Sequence, residues 1–174
     1  ITGESTGGVW TAASGNPLGG TFNAGTGTFN PTGATCGTYN FNYNVTGAPP
    51  CPSGSSTATI VINCQPTAGT DGSTTICTTD TTLITLSNLI TGEDTGGTWI
   101  AGPNPLGGTF TAAAGTFDPT GASAGTYTFI YTVTGTAPCV DDTATVTITV
   151  NRQPVAGTDG STTICASNVA PIDL

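Results

Sequence analysis

The chain has 174 residues and a formal net charge of −9, with Arg152 as its only basic residue and no His. Because phosphates and anionic membranes are bound through clustered cations, this charge argues against nucleic-acid binding and a basic membrane surface. Without His or Lys, the usual general bases, activated nucleophiles and His-containing zinc sites are missing, so neither enzymatic activity nor a catalytic residue is predicted. No apolar run approaches the length of about 20 residues that membrane insertion requires.

The remaining composition favours an all-β fold. Hydrophobic residues make up 36% of the chain, beside 40 Thr and 26 Gly. Val, Ile and the aromatic residues fall in short alternating runs between Gly-rich turns, a pattern typical of strands, and no helical periodicity is seen.

An internal repeat with an offset of about 88 residues dominates the sequence. A repeat of this length has the size of a small independent domain, such as an immunoglobulin-like β-sandwich, so tandem domains of that kind are predicted. The recurring motifs are ITGE(S/D)TGG at Ile1 and Ile90, NPLGGTF at Asn16 and Asn104, GTF(N/D)PTGA at Gly27 and Gly115, and AGTDGSTTIC at Ala68 and Ala156.

The phase of the repeat divides the chain into three parts. Residues 1–64 are predicted to form an immunoglobulin-like repeat without its first two strands, and residues 65–153 a complete repeat. Residues 154–174 are predicted to be the first two strands of a following repeat. The chain begins at Ile1 without a Met or a signal sequence, as expected of a mature product or a fragment.

Seven strands are predicted in the complete repeat. In the last of them, the apolar residues from Ala144 to Val150 alternate with Thr and are predicted to face the core. Trp99 occupies the place of the core Trp of an immunoglobulin fold, and Tyr127 resembles a tyrosine corner. The predicted strands are 73–77, 82–89, 97–101, 108–112, 114–118, 125–135 and 143–150.

The motifs GGTW, GTF(D/N)PTG, AGTYTFIYTV, APC and AGTDGSTTIC resemble repeats of very large surface proteins of Bacteroidetes. Those proteins include gliding-motility adhesins and related proteins exported by the type IX secretion system. The resemblance covers both repeats and implies an extracellular or cell-surface protein with an adhesive or filamentous role. It brings no catalytic residues to this chain.

Six Cys in an acidic, secreted-looking chain without a CxxC motif are expected to form disulfides in an oxidising environment. Cys77 and Cys139 lie early and late in the complete repeat and are predicted to bond to each other. Cys36 and Cys64 have no counterparts in the other repeat, which predicts a second bridge between them.

Cys51 and Cys165 remain, and repeat logic predicts that they bond across a junction. In one reading, residues 154–174 of one molecule complete residues 1–64 of the next by strand donation, which builds a head-to-tail filament. In the other reading the chain is an excerpt of a longer array, and the same contacts form within one polypeptide. Both readings give a linear string of domains.

The ten acidic residues include the pairs Glu93–Asp94 and Asp141–Asp142. Calcium bound by these residues at a domain junction is a minor expectation, because they lack the spacing of an EF-hand. No other cofactor is implied.

Glycans are a further expectation. Asn44 lies in the only N-x-S/T sequon without Pro, and Thr81 and Thr143 fit the O-glycan acceptor pattern that the Bacteroidetes resemblance brings.

Together these observations predict a structural repeat unit of an extracellular filament or stalk. It would assemble head to tail with copies of itself and carry glycans. The alternative is a surface adhesin repeat that binds polysaccharide or another cell surface.

Overall fold

The computed structural model describes residues 1–167 and 171–173, and it confirms that the protein is nearly all β. We refer to residues 1–64 as unit 1, residues 65–153 as unit 2 and residues 154–174 as the C-terminal segment. The strands of unit 1 are β1 (Val9–Ala12), β2 (Thr21–Asn23), β3 (Thr28–Asn30), β4 (Gly37–Val45) and β5 (Gly54–Ile62). Those of unit 2 are β6 (Gly72–Cys77), β7 (Ile84–Thr85), β8 (Thr98–Ala101), β9 (Thr109–Thr111), β10 (Thr116–Asp118), β11 (Gly125–Val133) and β12 (Asp142–Asn151).

Unit 2 consists of two sheets that enclose one core. One sheet has the order β6-β12-β11-β8 and the other has the order β7-β10-β9. The pairs of the first sheet are antiparallel except for β6 and β12, which run parallel. Phe117 of the smaller sheet packs on Tyr127 and Phe129 of the larger one, with ring centroids 5.0 and 5.1 Å apart, so aromatic contacts join the two layers.

The alternation predicted for the last strand is confirmed. Side chains of β12 from Ala144 to Val150 are buried at every second position, and the Thr residues between them are more accessible. Burial of each aliphatic side chain stabilises the unit by about 1.5–3 kcal/mol, so this strand is a main contributor to the core. Trp99 is partly buried and packs against Tyr131 at a centroid distance of 4.9 Å.

One predicted strand, 82–89, is largely wrong. Only Ile84–Thr85 pairs as a strand, and a 3-10 turn follows over Leu86–Leu89. The turn places Leu86 in the core beside Ile90, and the Leu86 backbone N–H donates to the Gly115 carbonyl at 2.9 Å. A continued strand would have turned alternate apolar residues of this segment towards solvent.

The tyrosine corner is present in both units. The hydroxyl of Tyr127 donates to the carbonyl oxygens of Leu106 at 2.8 Å and Ser123 at 3.2 Å. Tyr39 makes the matching bonds to Leu18 and Thr35.

We expect Tyr127→Phe to lower the free energy of unfolding of unit 2 by about 1–2 kcal/mol, because it removes a buried donor from two carbonyls. Urea denaturation followed by Trp fluorescence measures this loss. Thr126→Val, at an exposed neighbouring position, is the control and is expected to change stability little. An equal loss in the two variants would contradict a role for the hydroxyl.

Unit 1 repeats the later strands of unit 2. Its sheets have the orders β1-β4-β5 and β2-β3, and the register of β4 with β5 matches that of β11 with β12. Within residues 1–64 the structure has no counterpart of β6 or β7, so β5 lies at the edge of its sheet.

The described part of the C-terminal segment forms no strand in the single chain and is exposed throughout. Its sequence AGTDGSTTIC is identical to residues 68–77, six residues of which form β6 in unit 2. The two strands predicted over 154–174 extend across 168–170 and 174, which lie outside the described residues. The same ten-residue sequence thus contributes a strand to unit 2 and forms none in the C-terminal segment.

Candidate functional site

The inner face of β5 is only partly covered, because Ile60 is exposed and Ala58 and Ile62 are half-buried. Ile60 is 37% exposed, whereas Ile148, at the same register position in unit 2, is fully buried. Ile1 is 47% exposed, and its repeat counterpart Ile90 is only 3% exposed. The same sequence positions thus form a closed core in one unit and an open face in the other.

In unit 2 this face is covered by side chains from β6 and from the chain that follows it. Ile76 and Ile84 pack against the core, and Leu86 is fully buried within it. The repeat counterparts of Ile76 and Ile84 in the C-terminal segment are Ile164 and Ile172, which are 51% and 42% exposed. The two surfaces that pack together in unit 2 therefore recur in the chain, one on β5 of unit 1 and one in the C-terminal segment, and neither is buried.

The backbone edge of β5 is also open. In unit 2 the edge of β12 from Val146 to Asn151 pairs with β6 from Gly72 to Cys77. The corresponding edge of β5 has no strand beside it among the described residues. An unpaired edge with apolar side chains is a template for an added strand.

The predicted Cys36–Cys64 disulfide is confirmed, with the two Cα atoms 5.1 Å apart. It joins the residue before β4 to a residue just beyond the end of β5, where Gly37 pairs with Ile62. The bridge therefore fixes the end of unit 1 that faces unit 2. A disulfide is compatible with an oxidising, extracellular environment.

The predicted bond between Cys77 and Cys139 is wrong, because both residues carry free thiols. The parallel register places Cys77 opposite Asn151, at the far end of β12. Cys139 precedes Asp142, at the near end of the same strand. Nine residues of strand separate the two ends by about 30 Å, far beyond the reach of a disulfide.

Cys139 instead lies at the junction between the two units. Its Sγ donates to the carbonyl oxygen of Asn63, 3.5 Å away. The Asn63 side-chain amide donates to the Ala137 carbonyl at 2.8 Å, and the Gln65 amide donates to the Val140 carbonyl at 3.0 Å. The late loop of unit 2 therefore binds the residues just after β5 of unit 1.

Asn63 and Gln65 were not predicted as junction residues. The available signal was the repetition of NCQP at 63–66 as NRQP at 151–154, at the end of the last strand of each unit. By this repetition, Asn151 and Gln153 are the counterparts of Asn63 and Gln65.

Cys51 and Cys165 are exposed and free in the single chain. Their predicted bond across a junction therefore stays a prediction. Hydrogen bonds from the Ser167 side chain and backbone lower the pKa of the Cys165 thiol, and those from Thr79 do the same for the pKa of Cys77. A lowered pKa increases the thiolate fraction that takes part in disulfide exchange.

The acidic side chains near the junction accept hydrogen bonds from backbone N–H groups. Asp94 accepts from Thr67 at 2.9 Å, and Asp142 accepts from Ala68 at 2.8 Å. These bonds hold the segment that leads from unit 1 into β6. In the part of the chain that the structure describes, no three Cys, Asp or Glu residues group as metal ligands. Calcium at a domain junction stays a prediction.

The three glycosylation candidates are exposed. Thr81 lies in the loop after β6, Thr143 on β12 and Asn44 on β4. Their accessibility leaves room for a glycan, and modification at each of them stays a prediction.

A comparison with protein-family models gives no match, and a search for similar curated proteins gives none either. Among the residues that the structure describes, no helix is long and apolar enough to cross a membrane. The class that the fold and site define is an all-β protein with a repeated module, of which one copy has an open face.

Proposed function

We propose that this protein is a structural repeat unit of an extracellular filament or stalk, built from immunoglobulin-like β-sandwiches joined head to tail. The observation that supports it most is the pair of exposed surfaces. Unit 1 exposes the face that β6 and the residues after it cover in unit 2, and the C-terminal segment exposes a second copy of the covering sequence.

The docked arrangement follows from the register in unit 2. Val146 pairs with Gly72, and Asn151 with Cys77, so the repeat places Gly160 opposite Ala58 and Cys165 opposite Asn63. Main-chain hydrogen bonds would complete the sheet, and Ile164 would cover the apolar face as Ile76 does. This mode of recognition is strand addition to an open sheet edge.

The geometry of such an assembly is open-ended. The donated segment follows unit 2, whereas its acceptor is unit 1, so the two contacting surfaces differ. Heterologous contacts of this kind build a ring where the rotation between subunits closes and a linear filament where it does not, and the filament is the form proposed. The same contacts within a longer polypeptide would give the same string of modules.

Several features support the immunoglobulin-like assignment. The two sheets share one core, both units carry the tyrosine corner of Tyr39 and Tyr127, and Trp99 packs beside the core. The Cys36–Cys64 disulfide and the resemblance to Bacteroidetes surface repeats support an extracellular location.

We expect Ile164→Asp to abolish assembly of the purified full-length chain. The substitution places a carboxylate on the apolar face of unit 1, where its burial has no compensating partner. Because Ile164 is exposed in the single chain, the variant is expected to fold as the unaltered protein does. Negative-stain microscopy and sedimentation velocity measure filament length and mass.

Val155→Asp is the matched control, because Val155 is exposed in the same segment and its repeat counterpart Thr67 is exposed in unit 2. This control is expected to form filaments of normal length. Two outcomes would reject the proposal: filaments unaffected by Ile164→Asp, or an unaltered chain that remains monomeric at every concentration and salt condition tested.

A further inference from the structure

Four cysteines outside the Cys36–Cys64 bridge fall into two kinds. Cys77 and Cys165 end the motif AGTDGSTTIC, and we call them opener cysteines. Cys51 and Cys139 lie in the loop before the last strand of units 1 and 2, and we call them late-loop cysteines. Each kind occupies the same position in successive repeats, so the surroundings of Cys77 and Cys139 are carried over to Cys165 and Cys51 in the docked filament.

A late-loop cysteine reaches the end of the preceding unit. Cys139 of unit 2 donates from Sγ to the carbonyl oxygen of Asn63, 3.5 Å away, just beyond β5 of unit 1. Asn63 is the repeat counterpart of Asn151, the last residue of β12.

An opener cysteine reaches the same position from within its own unit. Cys77 is paired with Asn151 in the parallel ladder, and the next backbone N–H, of Thr78, donates to the Asn151 carbonyl at 2.9 Å. By repeat equivalence, the opener cysteine of one unit and the late-loop cysteine of the following unit therefore lie beside the same Asn. Within a single unit the two kinds lie at opposite ends of the last strand.

The two late loops have the same internal hydrogen bonds, which supports the transfer from Cys139 to Cys51. The Cys139 N–H donates to the Thr136 carbonyl at 3.0 Å, and the Cys51 N–H donates to the Ala48 carbonyl at 2.8 Å. The exposed Cys51 is thus presented to a preceding unit as Cys139 is presented to unit 1.

We propose that each junction of the filament is locked by two disulfides, Cys77 to Cys51 of a second copy and Cys165 to Cys139 of that same copy. The pairing rests on the proposed head-to-tail docking. It replaces both the bond within unit 2 and the expected bond between Cys51 and Cys165. Every unit is then covalently tied to the next one, although no bond joins an opener and a late-loop cysteine of the same unit.

The oxidant for this step is a small-molecule disulfide such as oxidised glutathione. The thiolate of Cys77 attacks one sulfur of the oxidant, forms a mixed disulfide and releases one glutathione thiolate. The thiolate of Cys51 of the second copy then attacks the Cys77 sulfur and releases the second glutathione. Two protein thiols are oxidised, one oxidant disulfide is reduced to two thiols, and the two protons go to the released thiolates. The Cys165–Cys139 bond forms in the same way.

Two double variants of the full-length chain separate this pairing from the alternative. C77S/C51S removes one proposed bond and leaves Cys165–Cys139, so a ladder of covalent multimers is expected on a non-reducing denaturing gel. C77S/C139S removes one partner from each proposed bond, so only monomer is expected. The alternative pairing, Cys77–Cys139 with Cys165–Cys51, gives the opposite result for both variants. Filaments are assembled with oxidised glutathione before each gel.

Peptide mapping of the unaltered, oxidised filament provides the direct measurement. The expected crosslinked peptides join Cys77 to Cys51 and Cys165 to Cys139. Crosslinks of Cys77 to Cys139, or a C77S/C139S ladder as strong as that of the unaltered chain, would overturn the pairing.

Microscopy of the same samples under reducing conditions distinguishes the two proposals. Filaments with the wrong crosslinks would refute the pairing and leave the proposed function standing. An unaltered chain without filaments would refute the proposed function and the pairing together.

Discussion

Replacing Ile148 by Ala is expected to lower the free energy of unfolding of unit 2 by about 3–4 kcal/mol. Ile148 is fully buried on β12, opposite Tyr127, within the core of both sheets. Truncation removes its apolar contacts and leaves a cavity that a two-layered core closes only in part. Urea denaturation of the dispersed, reduced chain measures the loss, followed by the fluorescence of Trp99 in a Trp10→Phe background that leaves it as the single Trp.

Ile60→Ala is the matched variant, because Ile60 holds the same register position opposite Tyr39 in unit 1. Its side chain is partly exposed in the single chain, so the expected loss is only about 1 kcal/mol. In assembled filaments a docked segment would bury Ile60, and the same substitution is expected to raise the concentration needed for assembly. Equal losses for the two variants in dispersed chains would show that unit 1 already has a complete core.

The part of the fold that sequence predicts best is the strand with one buried face. Along β12 the apolar residues recur at every second position, and only one face of that strand meets a core. Because side chains of a strand alternate between two faces and only one face is buried, only the apolar set can face the core. The inward residues from Ala144 to Val150 were therefore predictable one by one. The tyrosine corner was also predictable, because its Tyr lies near the start of a long strand late in the repeat.

Residues 82–89 show where local pattern is insufficient. Their mixture of Leu, Ile and Thr fits a strand, and a short apolar run does not distinguish a strand from a tight helical turn. The choice was decided by tertiary contacts, because a 3-10 turn buries Leu86 and positions Ile90 against the same core. These contacts involve β10 and the Gly115 backbone, which are distant in sequence.

The cysteine pairing depended on one feature that sequence does not encode locally, the direction of β6 relative to β12. Had the two strands been antiparallel, Cys77 would lie beside the late loop and within reach of Cys139. The observed parallel pairing moves Cys77 to the other end of the sheet, next to Asn151. Cys36 and Cys64 were predicted because they occur in one repeat only, and the antiparallel pairing of the consecutive strands β4 and β5 brings the start of one to the end of the other.

The candidate site was likewise predictable only where no contact between distant residues had to be known. Repeat arithmetic indicated that unit 1 lacks a counterpart of β6, since it compares residues with their equivalents and needs no coordinates. It did not indicate which residues meet at the junction, because Asn63 and Gln65 bind a loop more than 70 residues later. The side-chain amides became recognisable only once the late loop was placed beside them.

Removal of residues 154–174 is expected to abolish assembly completely and to leave both units folded, because every strand of the described structure lies between Val9 and Asn151. Sedimentation velocity and microscopy measure the loss. A synthetic peptide of residues 156–173 is then expected to bind the truncated chain, raise the melting temperature of unit 1 and slow hydrogen exchange along β5. A peptide carrying Ile164→Asp and Ile172→Asp is the control, since it keeps the backbone donors and loses the apolar contacts. Equal protection by both peptides would show that the apolar face of unit 1 does not select its partner, and filaments formed by the truncated chain would show that the segment is not the connector.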